Sequence, residues 1–392
     1  MPRLTIVLRL KGRPLFSLRF LSHANRARMP FRFLIADGEA RPPLVDMLEN
    51  FREIFPNLDI DYIRYPDDIS FNRYYEKMHD ALHRVRTPYV MLADNDDFLA
   101  PAGIERAIEF LDSHRDYVCC GGGIAGFSVH APLNAPLGVL VGPINKISYR
   151  YAPNDRSDDY NSSSVTERVI AGLSNTWGYY AVFRAPELAL IWNEVREMAP
   201  SSLQLVERYC AMRALTLGKA RSDPAVIGYW RQYWTSSGVH WRSSGNVPSR
   251  EWIHHLMRND FNGDFSRILE RISRVAAATD AGDECEIKER VRERCALWLR
   301  HVLINSCGGM AGIRRSVRTR APWLVEWLKR RRRISAVFER AAMRKNLRRN
   351  GASPEYLARY AGELAAMEEV LNGSAFQTFL RQSAPALMGL AA

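Results

Sequence analysis

The chain of 392 residues lacks most of the signatures that would place it quickly. Its six cysteines, Cys119, Cys120, Cys210, Cys285, Cys295 and Cys307, show neither C-x-x-C spacing nor the density of a disulfide scaffold, which argues against a zinc centre and a small secreted fold. No stretch approaches the roughly 18 consecutive apolar residues of a membrane span. The opening segment "MPRLTIVLRLKGRP" is broken by Arg9 and is too short for a signal peptide, so a cytoplasmic protein is expected. There is no low-complexity tract, no G-x-S-x-G elbow and no H-E-x-x-H pair. "CCGGGIAG" lacks both the Lys-Ser/Thr of a P-loop and the glycine order of a dinucleotide site.

Charge is abundant but uneven. Between Ile313 and Asn350 fourteen Lys and Arg stand against Glu326 and Glu339, which equals the whole net charge of +12. The rest of the chain is balanced. Such a segment reads as a contact surface for anionic lipid or nucleic acid, or as a solvated helical face or an oligomer contact.

Length and texture suggest two parts. Up to about residue 245 short apolar runs, "LTIVLRL", "FRFLIAD", "LDIDYIRY", "YVMLADND" and "YVCCGGG", alternate with helical patterns such as "FNRYYEKMHDALHRV". That alternation predicts an α/β fold with a mainly parallel sheet and flanking helices. Residues 246–392 read as helical, punctuated by Gly and Pro. The boundary is placed at "SSGNVPS", Ser243 to Ser249.

Within "PYVMLADNDDFLAP", an apolar strand runs straight into Asp94, Asp96 and Asp97. Carboxylates this close raise one another's pKa, a conflict that a bound Mg²⁺ or Mn²⁺ removes, because hard ions take oxygen ligands. An acidic turn capping the next helix with Asp96 or Asp97 is the alternative. In parallel sheets ligands bind beyond the carboxyl ends of the strands, which favours the metal.

"LTIVLRLKGRP", "FRFLIADGE" and "TPYVMLADNDDFLAPAGIERAIEFLDSHRDY" together resemble the first strand, second strand and D-x-D segment of inverting GT-A glycosyltransferases of the family-2 type. The resemblance covers about the first 240 residues and implies a Rossmann-like GT-A domain over residues 1–245. It implies a nucleotide-sugar donor and a glycan or lipid-linked acceptor, as in cell-surface polysaccharide synthesis. It also implies Mg²⁺ or Mn²⁺ on Asp94 and Asp96, with Asp94 on the ribose or a metal-bound water. Arg13, Pro14 and Asp37 would hold the base and ribose, although "RLKGR" departs from the polar turn usual in the family and Asp37 before Gly38 also suits a turn. Lys77 would lie near the phosphates, or on a solvated helix face. In "VIGYWRQYWTSSGVHWR" the resemblance puts Arg231 at the diphosphate and His240 at the metal.

Inversion requires a carboxylate that takes the acceptor's proton. The resemblance places it on the helix of "SSLQLVERYCAMRALTL", where Glu207 is the candidate; an exposed Glu207 paired with Arg208 or Arg213 is the alternative. Asp158, Asp159 and Glu167 stand in reserve in or beside the polar loop "NDRSDDYNSSS". Trp177 and the aromatics around Tyr229 and Trp230 are core residues or sugar-stacking platforms. Two other classes remain: a nucleotidyltransferase, which needs a Gly-rich first loop, and a nucleic-acid-binding protein, which the acidic strand end disfavours. The tail adds an expectation of peripheral attachment to anionic membrane.

Overall fold

The computed structural model describes residues 2–38, 49–129, 141–149, 158–173, 177–232, 258–307, 340–372 and 374–383. Ten strands form one sheet: β1 (Leu4–Leu10), β2 (Arg32–Asp37), β3 (Asp59–Arg64), β4 (Tyr89–Ala93), β5 (Phe98–Leu99), β6 (Tyr117–Val129), β7 (Ile144–Tyr149), β8 (Asp158–Tyr160), β9 (Val182–Arg184) and β10 (Lys219–Gln232). Their order is β3-β2-β1-β4-β9-β6-β10-β5, with β7 on β6 and β8 on β10. β1, β2, β3 and β4 pair in parallel, as do β6 and β10; β9 is antiparallel to both β4 and β6. β1, β2, β3, β4, β6 and β10 therefore point the same way, and their carboxyl ends share one edge.

The expected strands all appear. Leu4, Ile6, Val7 and Leu8 of β1 and all of β4 are buried, as befits strands covered on both faces. Each fully buried Leu, Ile or Val stabilises the fold by roughly 1.5–3 kcal/mol. Helices Pro14–Arg26, Phe71–His83, Pro101–Ser113, Ala185–Met198 and Leu203–Leu217 flank the sheet.

Between β1 and the first of these helices the chain turns through two left-handed residues, Gly12 (φ 68°) and Arg13 (φ 59°). Pro14 then opens the helix, where its fixed φ suits the first turn and no amide hydrogen is missed. The turn sets Arg13 at the strand-end edge.

The later helices are joined to this core. Asn259–Asp280 packs against Val165–Gly172 and Leu203–Leu217, and Asp280 accepts the amide hydrogens of Val165 and Thr166 at the start of the former (both 2.8 Å). In Pro354–Leu371, Tyr356, Leu357, Tyr360 and Leu364 form a second apolar cluster with Phe98, Phe127 and Trp230. Glu363 of that helix accepts from the amide of Ala102 at 2.7 Å and so caps Pro101–Ser113. The acidic-cap reading of Asp96 or Asp97 is thereby corrected: the residue at the cap position is Ala100, and the carboxylate is brought from the C-terminal helix.

Candidate active site

The acidic triad lies at the end of β4. Asp94, Asp96 and Asp97 each present a carboxylate oxygen, all within 4.8 Å of one another. Such a set of hard oxygen donors fits Mg²⁺ or Mn²⁺. The surroundings distinguish the three acids.

Asp94 is held on both oxygens. Arg9, at the end of β1, donates Nε–H to Oδ1 at 2.8 Å, and the Tyr180 hydroxyl donates to Oδ2 at 2.9 Å. Arg9 is fixed in turn by the hydroxyls of Tyr74 (3.0 Å) and Tyr179 and lies over the Tyr179 ring at 4.6 Å. Burial opposes the charge on Arg9, but Asp94 and the tyrosine oxygens raise its pKa well above the usual value. Burial likewise opposes the charge on Asp94, and Arg9 outweighs it, so the carboxyl sits below the usual range. The Asp94 amide also donates to the hydroxyl of Tyr229 on β10 at 3.2 Å.

Asp97 is 3% exposed and accepts from the Gln232 amide at 2.8 Å, which ties β4 to the end of β10. Burial, then the neighbouring Asp96, push its pKa well above the usual value. Asp96 meets Arg13 Nη1 at 2.8 Å. Its backbone carbonyl accepts from Arg19 Nη2 at 2.7 Å; Arg19 lies between the rings of Phe16 and Phe98.

Glu207 shares this environment. It is half-buried on Leu203–Leu217, and burial raises its pKa although Arg231 and Arg9 pull the other way. The exposed-pair reading of Glu207 is corrected: Arg208 donates to the Leu173 carbonyl and covers the Trp298 ring, while Arg213 pairs with Glu194 at 2.8 Å. Arg231 donates to the Tyr180 hydroxyl at 2.9 Å and lies over its ring at 4.9 Å. Thus Arg9, Arg231, Tyr180, Asp94 and Glu207 form one electrostatic unit.

Asp37 ends β2 on the same edge, buried, and accepts from the Tyr62 hydroxyl at 2.8 Å. The next residue, Gly38, sits so near Asp68 that an added Cβ would lie 2.1 Å from its Oδ2. The solvated-face reading of Lys77 is corrected: it is 2% exposed, donating to Asp68 Oδ2 (2.6 Å) and to the Leu10 carbonyl (3.1 Å). It braces the end of β1 from behind.

The reserve acids lie elsewhere. Asp159 accepts from the Tyr117 hydroxyl at 2.8 Å, at the amino end of β6 and away from the triad, and Glu167 pairs with Arg290 at 2.5 Å. Asp158 lies on β8, whose neighbour Asp159 marks the same remote edge. His240 lies outside the described residues, as do residues 313–339 of the basic segment.

Arg9, Tyr74, Tyr179 and Tyr180 escaped the sequence reading. Tyr179 and Tyr180 end a short 3-10 turn (Trp177–Tyr180) directly before β9, whose antiparallel course starts it at the carboxyl edge. The only hint was "WGYY" itself.

Residues 18–165 match the model of glycosyl transferase family 2, a span that includes Asp37, Lys77 and the triad but not Arg9, Arg13, Glu207 or Arg231. No curated protein matches the chain. Among solved structures, TarS 1-349 of S. aureus is similar at 12% identity and a TM-score of 0.42, covering 97% of this chain and 92% of that one; it has also been solved with UDP-GlcNAc. A mannosyltransferase of Pyrobaculum calidifontis, solved with GDP-Man and Mn²⁺, is similar at 11% identity and a TM-score of 0.37, covering 86% of each chain. The match to glycosyl transferase family 2 thus falls on the part of a mainly parallel α/β sheet, GT-A-like in its layout, that carries the triad at the end of β4.

Proposed function

We propose that the chain transfers a sugar from a nucleotide-sugar donor to a glycan or lipid-linked acceptor, with inversion at the anomeric carbon and with Mg²⁺ or Mn²⁺ held by the triad. The observation that carries this reading is the placement of a half-buried Glu207 beside the Asp94–Arg9–Arg231 unit at one edge of the sheet. A divalent cation bound there supplies charge neutralisation for the departing nucleoside diphosphate.

The protein's own groups divide the remaining work. Glu207 accepts the proton of the attacking hydroxyl, and burial raises its basicity. Arg231 and Arg9 favour its ionised form. Tyr180 and Arg9 orient Asp94, so that its carboxylate meets the donor in one fixed attitude. Asp37, on the same edge, is the residue we assign to the nucleoside. Release of nucleoside diphosphate from a nucleotide sugar tests the activity. The anomeric configuration of the product, read by NMR, tests the stereochemistry: inversion agrees with direct displacement assisted by Glu207, and retention contradicts it.

The basic tail is assigned to anionic membrane. Residues 340–349 are helical, with Met343 and Leu347 turned into the second apolar cluster and Arg344, Lys345, Arg348 and Arg349 exposed. Arg340 pairs with Glu368, which helps to fix that helix on the core. No helix among the described residues is long and apolar enough to cross a membrane. Each basic residue near an anionic surface contributes about 1 kcal/mol. Replacing the four exposed cations by Gln is expected to weaken binding to phosphatidylserine vesicles at least tenfold, in a sedimentation assay against phosphatidylcholine vesicles; unchanged binding contradicts the assignment.

A further inference from the structure

Among the described residues two arginines, Arg9 and Arg13, make ion pairs with triad carboxylates, and they are held very differently. Arg9 is a built-in partner: its side chain is 9% exposed, hydrogen-bonded to Asp94 and two tyrosines, and covered by the Tyr179 ring. Arg13 is not. Its side chain is 22% exposed and its Nη1 comes within 2.8 Å of Asp96 Oδ2 without hydrogen-bond alignment. Apart from that, its guanidinium touches the Phe16 ring at 5.7 Å. The backbone beneath it is pinned, because the Arg13 carbonyl accepts from the amides of Phe16 and Ser17, so motion is confined to the side chain.

We infer that Arg13 is a displaceable counter-ion: it pairs with Asp96 while the donor is absent and, when cation and donor enter, its guanidinium leaves the carboxylate for the donor's diphosphate. This rests on the donor-binding reading given above and adds to it a residue whose partner changes on binding. The physical reason is charge economy. Three acids within 4.8 Å repel one another, and Arg13 lowers that repulsion at Asp96. A dication does the same more strongly, and a guanidinium is a good partner for phosphate oxygens. The exchange keeps both the carboxylates and the diphosphate compensated.

The inference predicts opposite effects on two ligands. In Arg13→Met, Mn²⁺ alone, titrated calorimetrically without nucleotide, binds more tightly, by about fivefold to tenfold, because a partly buried ion pair no longer competes; an increment of 1.4 kcal/mol is tenfold. UDP and GDP, titrated in turn at saturating Mn²⁺, bind more weakly by a similar factor. Arg13→Lys keeps the charge and falls between on both titrations. Unchanged or weaker Mn²⁺ binding in Arg13→Met, with an unaltered melting temperature, overturns the exchange. If the wild type turns over a nucleotide sugar and the Mn²⁺ titrations of the two proteins coincide, this inference alone falls. If the wild type binds neither Mn²⁺ nor nucleotide, the donor-binding reading falls with it.

Discussion

Glu207→Gln lowers kcat by about 10²- to 10⁴-fold, the range over which a positioned general base acts, while donor affinity stays within about twofold. The amide keeps the shape of the side chain and loses the ability to take a proton. Because burial raises the Glu207 pKa, the acid limb of the wild-type rate profile is shifted upward from that of an exposed glutamate. Activity is present above that pKa and declines as the pH falls through it. In Arg231→Gln one of the cations that favours ionised Glu207 is gone, so the acid limb moves further up. A profile of kcat between pH 4 and 8 checks both shifts. An acid limb that stays in place in Arg231→Gln shows that the two groups do not communicate, and activity retained in Glu207→Gln removes Glu207 from the chemistry.

Asp94→Ala destabilises the fold by about 3 kcal/mol, because truncating one member of a largely buried pair leaves Arg9 charged and without its carboxylate. The sign with pH follows from the depressed Asp94 pKa. The stabilisation is full above the unfolded carboxylate pKa of about 3.9 and is lost as the pH falls through the lower folded value. The difference in urea stability between wild type and Asp94→Ala is therefore large at pH 7 and shrinks at the acid end. Asp94→Asn keeps an acceptor for Tyr180 and falls between. A variant as stable as the wild type at pH 7 would mean that the Arg9–Asp94 pair is solvated and carries no structural weight.

The parts of this site that rest on local pattern were legible in the sequence. β1, β2 and β4 are short apolar runs, and the acids appear where such a run stops, so the strand-end position of Asp94, Asp96 and Asp97 followed directly. Glu207 came only from the resemblance to family-2 enzymes, which implies a carboxylate on that helix; nothing in its own spacing marks it. The parts that depend on long-range closure were not. Arg9 interrupts an apolar run, which reads as a flaw in the strand when its partner is 85 residues away. Tyr180 reaches Asp94, and Tyr179 reaches its partner Arg9, because β9, three residues long, wedges antiparallel between β4 and β6. Nothing in the alternation of strands and helices announces such an insertion.

The same applies to the C-terminal region. Its described helices were legible from periodicity, whereas their attachment was not. Glu363 caps a helix 261 residues earlier in the chain, and Tyr360 stacks on Trp230 at 6.1 Å. Lys77 shows the converse error, since its amphipathic helix pattern suited a solvated position while Asp68 and the Leu10 carbonyl draw the ammonium inward.

The most direct measurement is nucleoside diphosphate release from a panel of UDP-, GDP- and dTDP-sugars with Mn²⁺ or Mg²⁺, with and without chelator, for the wild type beside Asp96→Ala. The account predicts release from one donor, abolished by chelation and reduced at least a hundredfold in Asp96→Ala. Release that survives both the chelator and the substitution, or no release from any donor by a folded wild-type protein, contradicts it.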